Sequence, residues 1–245
     1  MHLEQTLTQL RAMRLTIMAN ALDQQLKNTT STSLSHEEFV GVLVQEEYSA
    51  RQNRRLSRMI GNANFKPEQA CLENIQYTPT RGFQKKDIQA FTTPTWIHNA
   101  QNVIITGPTG TGKTYLAEAI GLHACHMGYP ARKIRYKRLF DEIQAARATG
   151  MYLTYLEKLS NVKVLIIDDF VMESITETEQ TDLMEIIEDR SQKTPVIITT
   201  QYPADKWHTR LPDPTIADAI CDRLVHAAVK LNLKGDSMRI KKEKP

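Results

Sequence analysis

One stretch of the chain reads Gly107-Pro108-Thr109-Gly110-Thr111-Gly112-Lys113-Thr114. It matches G-x-x-x-x-G-K-[ST], the pattern of a phosphate-binding loop, at every fixed position. Glycines let backbone N–H groups turn toward a phosphate, and the positive end of the following helix adds to the attraction. The pattern therefore assigns nucleotide binding to all eight residues, with Lys113 as the cation for the β and γ oxygens and the Thr114 hydroxyl as a Mg²⁺ ligand.

The sequence on either side of this loop supports the interpretation. Val103-Ile104-Ile105-Thr106 is typical of a buried strand, and residues 115–120 have the composition of a helix. A phosphate-binding loop joins a strand to a helix, so both neighbours that the motif requires are present. The alternative is a glycine-rich turn that binds nothing, and the two flanks make it the weaker interpretation.

A second apolar run ends in two carboxylates. Residues 164–167 read Val-Leu-Ile-Ile and are followed by Asp168 and Asp169. Ligands bind at the carboxyl ends of parallel strands, so we expect Asp168 to hold the Mg²⁺ of the nucleotide and Asp169 to polarise the attacking water. A later strand ends in Thr200 and Gln201, and we expect Thr200 first and Gln201 second to contact the γ-phosphate or the water; ordinary strand-end polarity is an equal alternative.

The order of elements predicts an α/β fold. Strands are predicted at 102–106, 133–136, 163–167, 195–200 and 225–233, with helices at 113–127, 139–149 and 177–192 and after Asp213-Pro214. Five strands with intervening helices imply a parallel, three-layer sheet. The stretch between the two motifs also leaves room for an extra helix–strand–helix, which suits ATPases with an additional strand between the motif-bearing ones.

The residues before the sheet predict a small all-helical domain. Apolar side chains at helical spacing indicate a first helix to about Leu26, and residues 28–33 are a polar linker. Ser35 and Glu38 fit a capping box that opens a long helix ending at Gly61. We therefore expect a helical domain over 1–80, whose basic residues at 51–58 suit binding of DNA or a partner, an ATPase domain over 81–235 and a basic tail over 236–245.

Composition excludes several classes of protein. The 245 residues are 41% hydrophobic and carry a formal net charge of +3, so the total charge does not indicate a partner. No run of 18 apolar residues occurs, which argues against a spanning helix and a membrane partner. The first residues lack the features of a signal peptide, and Cys71, Cys125 and Cys221 have no disulfide or zinc spacing, so we expect a cytoplasmic protein.

Taken together, these motifs resemble the AAA+ ATPases of the helicase-loader clade, and most closely the IstB-like transposition helper ATPases. The resemblance covers nearly the whole chain. The loop motif is shared by many ATPases, so it is the stretch from Pro203 to Arg239 that points to this particular family. It rests on the stretches at 54–58, 107–114, 124–129, 165–170, 203–208, 213–215, 218–220, 222–226 and 235–239.

The resemblance implies a helper protein of an insertion sequence. Such proteins assemble on duplex DNA as ATP-bound homo-oligomers, rings or spirals with nucleotide between subunits, and recruit a partner transposase. Hydrolysis of ATP then disassembles them. A neighbour's arginine completes the site, and Arg223 matches the family best; the alternative is an intrahelical pair with Asp218 or Asp222. Two rival functions stay open: a replicative helicase loader, and a scaffold for which ATP is only a structural ligand.

The chain departs from the AAA+ pattern in two places. The Mg²⁺ motif ends in Asp168-Asp169 where most AAA+ proteins have Asp-Glu, which implies weaker intrinsic hydrolysis. Few residues follow Arg223, so we expect no C-terminal helical lid and no sensor arginine carried on one.

Basic residues form two candidate DNA-binding clusters. The first cluster shares one helix face at i, i+3, i+4 and i+7 and consists of Arg51, Arg54, Arg55 and Arg58. The second lies near the second strand and consists of Arg132, Lys133, Arg135, Lys137 and Arg138. Both suit contacts to phosphates without base readout. A solvated face is the alternative for each, and Glu47 is positioned to pair with Arg51.

Overall fold

A computed structural model of the protein describes residues 2–27, 34–66 and 70–238. The linker at 28–33 and the basic residues of the tail after Met238 lie outside this part of the chain. The chain divides into two compact units, Met1–Arg58 and Met59–Pro245. The boundary expected near residue 80 thus falls inside the second unit, and the division lies within one long helix.

The first unit is helical. It contains α1 (Leu3–Ala12), α2 (Thr16–Lys27) and most of α3 (His36–Asn62). The predicted capping box is confirmed: the Ser35 backbone N–H donates to Glu38 Oε2 over 2.8 Å, and the Glu38 N–H donates to Ser35 Oγ over 3.2 Å. The prediction of a single first helix is wrong. Arg14 takes a positive φ of 60°, and the Leu15 N–H bonds to the Leu10 carbonyl, which ends α1 before α2 begins.

The second unit begins with the last residues of α3, and several short helices precede its first strand. These are 3₁₀ helices at Leu72–Asn74 and Pro79–Arg81, followed by α4 (Lys85–Gln89) and α5 (Thr95–His98). This stretch carries apolar anchors into the core, among them the fully buried Phe91 and Trp96. It leads directly into the first strand.

The sheet is parallel and five-stranded, as predicted. Its strands are β1 (Val103–Thr106), β2 (Ala131–Arg135), β3 (Val164–Asp168), β4 (Val196–Thr200) and β5 (Val229–Asn232). Their order is β2-β3-β4-β1-β5, with parallel pairing throughout. In the chain, β2 and α7 fill the stretch between the two motifs, where the spacing left room for an extra strand. Within the sheet, β4 lies between the motif-bearing strands β1 and β3.

Helices cover both faces of the sheet. They are α6 (Lys113–His126), α7 (Tyr136–Ala148), α8 (Tyr152–Ser160), α9 (Glu177–Arg190) and α10 (Pro214–Val225). The cluster containing Ile104, Leu165 and Ile198 packs against α7 to α10. Ile166 points to the other face, where it approaches Gly121 of α6. Alternating strand side chains thus serve the two helical layers.

Two element predictions need correction. The helix α8 was not predicted, and α10 continues through Val225, so β5 begins at Val229 rather than at residue 225. Ala227 takes a positive φ of 60°, so residues 226–228 form a turn between α10 and β5 instead of the start of the strand. After β5, residues 233–238 fold back onto the phosphate-binding loop, where the Met238 N–H donates to the Gly110 carbonyl over 2.9 Å.

Candidate nucleotide-binding site

The predicted phosphate-binding loop joins β1 to α6. Gly110 has a φ of 85°, which a side chain rarely adopts, and a Cβ atom there would lie 2.2 Å from Ser237 Oγ. Gly107 is equally constrained, because a Cβ atom would lie 2.4 Å from the Leu233 carbonyl oxygen. The loop therefore needs glycine both for its own turns and for the close approach of residues 233–238.

Lys113 is the first residue of α6 and is buried beneath the loop. Its Nζ donates to the carbonyl oxygens of Gly107 over 2.8 Å and Pro108 over 2.9 Å. The ammonium group is thus held inside the turn of the loop. A cation fixed there at a helix N-terminus attracts the phosphates of a nucleotide.

Oxygen atoms of three residues meet at the end of β3. Thr114 Oγ1 donates to Asp168 Oδ1 over 2.9 Å, and Thr199 Oγ1 donates to the same oxygen. Asp168 is buried, so its carboxylate is held by these hydroxyls away from bulk water. A hydroxyl beside a carboxylate is the donor set that Mg²⁺ takes when phosphates and water complete its shell. No cluster of three or more His, Cys, Asp or Glu side chains within the described ranges forms a metal site by itself.

The structure does not bring Thr200 to this group. The Thr200 hydroxyl donates to the Phe170 carbonyl over 2.9 Å and accepts the Tyr202 N–H over 3.1 Å. The pairing of Ile167 with Ile198 sets Asp168 next to Thr199, and successive residues of a strand face opposite sides. Thr199 is therefore the residue that contacts Asp168, and the second-choice Gln201 is exposed just beyond the strand.

Asp169 lies at the rim of the site. It adopts a left-handed conformation with a φ of 59°, and its N–H donates to Thr199 Oγ1 over 3.1 Å. Its carboxylate is half exposed and lies 4.0 Å from Arg135 Nε. The hydroxyl of Thr199 thus links the backbone of Asp169 to the side chain of Asp168.

Arg223 lies near the end of α10 and forms an ion pair that the sequence did not indicate. Its Nη2 is 2.6 Å from Glu188 Oε2 of α9, and its Nη1 donates to the Ala219 carbonyl over 3.1 Å. Asp218 pairs with His208 instead. Neither intrahelical pair that was the alternative for Arg223 is formed.

The second basic cluster is largely neutralised within the fold. Lys133 is buried and pairs with Glu118, so it is not available to DNA. Arg132 pairs with Glu142 over 2.7 Å, and Lys137 pairs with Glu179 over 2.8 Å. Burial and the bond from Lys137 act in opposite directions on Glu179, and the net effect lowers the pKa of this carboxylate.

Only two residues of that cluster keep a mostly exposed side chain. Arg135 exposes 74% of its side chain and Arg138 exposes 68%, although Arg138 lies 3.4 Å from Glu142. The helix α7 begins at Tyr136, so these two arginines lie at the junction of β2 and α7 rather than along a strand. The strand predicted at 133–136 ends one residue earlier, at Arg135.

The first basic cluster is a solvent-exposed face of α3. Arg54, Arg55 and Arg58 are exposed, as contact with DNA requires. Arg51 has a structural role, because its Nε bonds to Glu47 Oε1 over 2.8 Å and its Nη2 donates to the Arg14 carbonyl over 2.9 Å. The alternative that Glu47 pairs with Arg51 is confirmed.

A cavity that the sequence did not predict adjoins the loop. It has a volume of about 400 Å³ and is lined by Ile75, Gln76, Arg81, Phe83, Tyr115 and Met238, among others. Its mixed apolar and amide lining fits the nucleoside part of a ligand whose phosphates lie on the loop. The lining comes from three distant stretches of chain, so no local sequence pattern indicated it.

The fold and the site together define a nucleotide-binding domain of the P-loop ATPase class. The family model for IstB-like ATP binding proteins matches residues 8–245. This chain therefore belongs to the IstB-like ATP-binding family.

Individual relatives agree with this assignment. The chain is 38% identical to a Sinorhizobium fredii protein described as an insertion sequence ATP-binding protein, over 96% of this chain and 95% of that one. It is 37% identical to an ATP-binding protein of insertion sequence IS1162 from Pseudomonas fluorescens, over 82% of this chain and 87% of that one.

Solved structures share the fold at low identity. The DnaC helicase loader matches with a TM-score of 0.56 and 20% identity, over 68% of this chain and 98% of that one. AMPPCP-bound DnaA from Aquifex aeolicus matches with a TM-score of 0.57 and 18% identity, over 73% of this chain and 54% of that one. Within the described residues, every helix is too short or too polar to cross a bilayer.

Proposed function

We propose that this protein is the ATP-dependent helper of an insertion sequence. Loaded with ATP and Mg²⁺, it forms homo-oligomers on duplex DNA and assists a partner transposase in target selection and transposition. Hydrolysis of ATP releases it from DNA. The observation that carries the proposal is the convergence of Thr114 and Thr199 on Asp168 beside the loop that buries Lys113. Membership of the insertion sequence family supports the biological context.

The residues divide the work of nucleotide binding and hydrolysis. When bound, Mg²⁺·ATP would supply the phosphoanhydride bond and a metal charge that offsets the charge of the phosphates. Lys113 and the loop N–H groups would bind the phosphates, while Thr114 and Asp168 would hold the metal. Asp169 accepts a hydrogen bond from the attacking water and orients it, and Thr199 links the backbone of Asp169 to the carboxylate of Asp168.

Assembly completes the site in this proposal. Arg223 projects from α10 and keeps part of its side chain exposed while it pairs with Glu188. In the oligomer Arg223 enters the neighbouring subunit's site and stabilises the charge on the γ-phosphate, an effect worth about 10³- to 10⁵-fold in rate in other ATPases and GTPases. To do so, the Arg223 guanidinium leaves Glu188 and pairs with the γ-phosphate instead.

DNA is held by phosphate contacts, without base readout. Arg54, Arg55 and Arg58 supply the first unit's contacts, and Arg135 and Arg138 supply those of the second. These contacts read charge and shape, so target preference follows the deformability of the duplex.

Free thiols at Cys71, Cys125 and Cys221 suit work in the cytoplasm.

The test is nucleotide-dependent assembly on duplex DNA, followed by sedimentation and electron microscopy. The wild-type protein should assemble with ATP or a non-hydrolysable analogue, and Lys113→Ala should not. Asp169→Ala should bind ATP and remain on DNA, because it assembles without turning over. Identical sedimentation of wild type and Lys113→Ala would refute the mechanism.

Two rival functions give different outcomes in the same experiment. A helicase loader needs a replicative helicase and single strands, and bare duplex does not support its assembly. A scaffold shows no ATP turnover with duplex DNA, with transposase or with both together.

A further inference from the structure

Arg81 is a cation beside the phosphate-binding loop that the family resemblance did not indicate. Its Nη2 donates to the Thr111 carbonyl over 2.9 Å, and its Nη1 donates to the Gln76 carbonyl over 2.8 Å. The guanidinium carbon lies 5.0 Å from the centre of the Phe83 ring. Two carbonyls and one aromatic ring therefore fix the plane of the guanidinium.

The charge of Arg81 has no counter-ion in the described part of the chain. Its hydrogen bonds go only to neutral carbonyls, whereas Arg132, Arg147 and Arg223 all reach carboxylates. Partial burial lowers the pKa of Arg81 through desolvation alone. A partly desolvated cation of this kind gains most from an anion, and its remaining N–H groups are suited to a phosphate oxygen.

The position of Arg81 selects which part of a nucleotide it meets. Arg81 lines the cavity with Tyr115 and Leu116, on the side of the loop at Gly112. A Cβ atom on Gly112 would lie 3.2 Å from Arg81 Nη2, so the guanidinium touches the last turn of the loop before α6. The metal-binding hydroxyl of Thr114, by contrast, bonds to Asp168. Arg81 thus lies where the nucleoside cavity meets the loop.

We propose that Arg81 is a nucleotide-binding residue that contacts, from within the same subunit, the phosphate adjoining the nucleoside. This inference rests on nucleotide binding at the loop and is independent of DNA, oligomers and the transposase. It makes Arg81 a second cation of the site beside Lys113. Because the contact is to the nucleoside-proximal phosphate, ATP and ADP gain from it equally.

The experiment measures the affinity of the full-length protein for ATP, ADP and adenosine by titration calorimetry with Mg²⁺. Arg81→Ala should weaken ATP and ADP by the same factor, about 10- to 100-fold for a lost charge-assisted bond, and should leave adenosine unchanged. Lys86→Ala, which removes an exposed cation from α4, is the matched control and should change none of the three.

Two conservative variants separate ligand binding from support of the loop. Arg81→Lys keeps the charge, and Arg81→Gln keeps an N–H donor for the Thr111 carbonyl without the charge. If Arg81 binds phosphate, Arg81→Lys keeps more affinity for ATP and ADP than Arg81→Gln does. If Arg81 only supports the loop, the two variants bind ATP and ADP equally well, and the proposal is overturned.

Further outcomes are equally decisive. A loss confined to ATP would place the contact at the γ-phosphate, and a loss of adenosine binding would place it at the nucleoside; either overturns the proposal. Thermal unfolding without ligand checks that each variant is folded, and should Arg81→Ala not fold, the Lys and Gln pair decides. Wild-type protein that binds neither ATP nor ADP would refute the proposed function itself, whereas wild-type binding with unchanged Arg81→Ala refutes only the role of Arg81.

Discussion

Neighbouring threonines at the end of β4 have different roles, and the difference follows from strand geometry. Thr199 reaches the carboxylate of Asp168, while the hydroxyl of Thr200 is used by the backbone of residues 170 and 202. Both side chains are fully buried. The chemistry of the site therefore depends on which face of the strand a residue occupies rather than on its type.

Substituting each threonine by the isosteric valine separates these roles. Thr199→Val should lower ATP turnover roughly 10- to 100-fold with ATP affinity nearly unchanged, because the Asp168 carboxylate loses a fixed donor. Steady-state turnover and calorimetric binding measure the two effects.

Thr200→Val is the matched control. It should keep turnover and lower the free energy of unfolding by about 1–3 kcal/mol, because the buried Phe170 carbonyl loses its donor. A loss of turnover in Thr200→Val equal to that in Thr199→Val would contradict the assignment.

A helix N-terminus in the first unit is capped from a different helix. Glu47 of α3 accepts the backbone N–H groups of Ile17 and Met18 at the start of α2, at 2.9 and 3.0 Å. The hydrogen bond from Arg51 and then the bond from the Met18 N–H lower the pKa of Glu47 below its ordinary value of 4.5. One carboxylate thus satisfies the start of α2 and holds it to α3.

Glu47→Gln should loosen this unit. The substitution removes the charge that caps α2, which we expect to cost about 1–2 kcal/mol of local stability. Hydrogen exchange of the Ile17 and Met18 amides measures it, and the exposed neighbour variant Glu46→Gln is the control. Unchanged exchange at these two amides in Glu47→Gln would show that the cap contributes nothing.

The lowered pKa of Glu47 predicts how the stability of the start of α2 changes with pH. Since the folded-state pKa of Glu47 lies below its unfolded value, its contribution is complete above the unfolded pKa and is lost as the pH falls through the folded pKa. Protection of these amides should therefore fall below about pH 4.5 in the wild type and stay flat in Glu47→Gln.

The distribution of paired and exposed charges decides which surfaces are available to DNA. Most cations near β2 are bound to carboxylates of the same fold, as Lys133 and Lys137 show. On α3, Arg54 and Arg58 are exposed and form no ion pair within the described residues. We therefore expect α3 to dominate the electrostatics of binding.

Salt titrations of duplex binding test this expectation. Replacing Arg54 and Arg58 by alanine should weaken binding and reduce the slope of log K against log salt by about two, since each phosphate contact contributes about 0.9. Lys137→Ala is the control and should leave the slope unchanged. If the double variant and the wild type have the same slope, the first basic cluster is a solvated face that does not contact DNA.

Mixing variants tests whether sites form between subunits. Arg223→Ala keeps Asp169 but lacks the arginine that would enter the neighbour's site. Asp169→Ala keeps that arginine but lacks the carboxylate that orients the water. Each alone should be inactive, and a mixture should regain part of the turnover because some interfaces combine the intact Asp169 with the intact Arg223. No recovery in a mixture that co-assembles on DNA would mean that Arg223 does not act across the interface.

Local patterns were sufficient to predict the sheet, the loop and the capping box of α3, because each depends on residues close together in the chain. The run from Gly107 to Thr114 specifies its backbone turns by itself, and Ser35 with Glu38 needs only one helical turn. The contacts of Thr199 and Arg81, the pair of Arg223 with Glu188 and the burial of Lys133 depend on strand register and on packing between distant stretches. Register and packing are set by the whole core at once, so only the tertiary structure decided them.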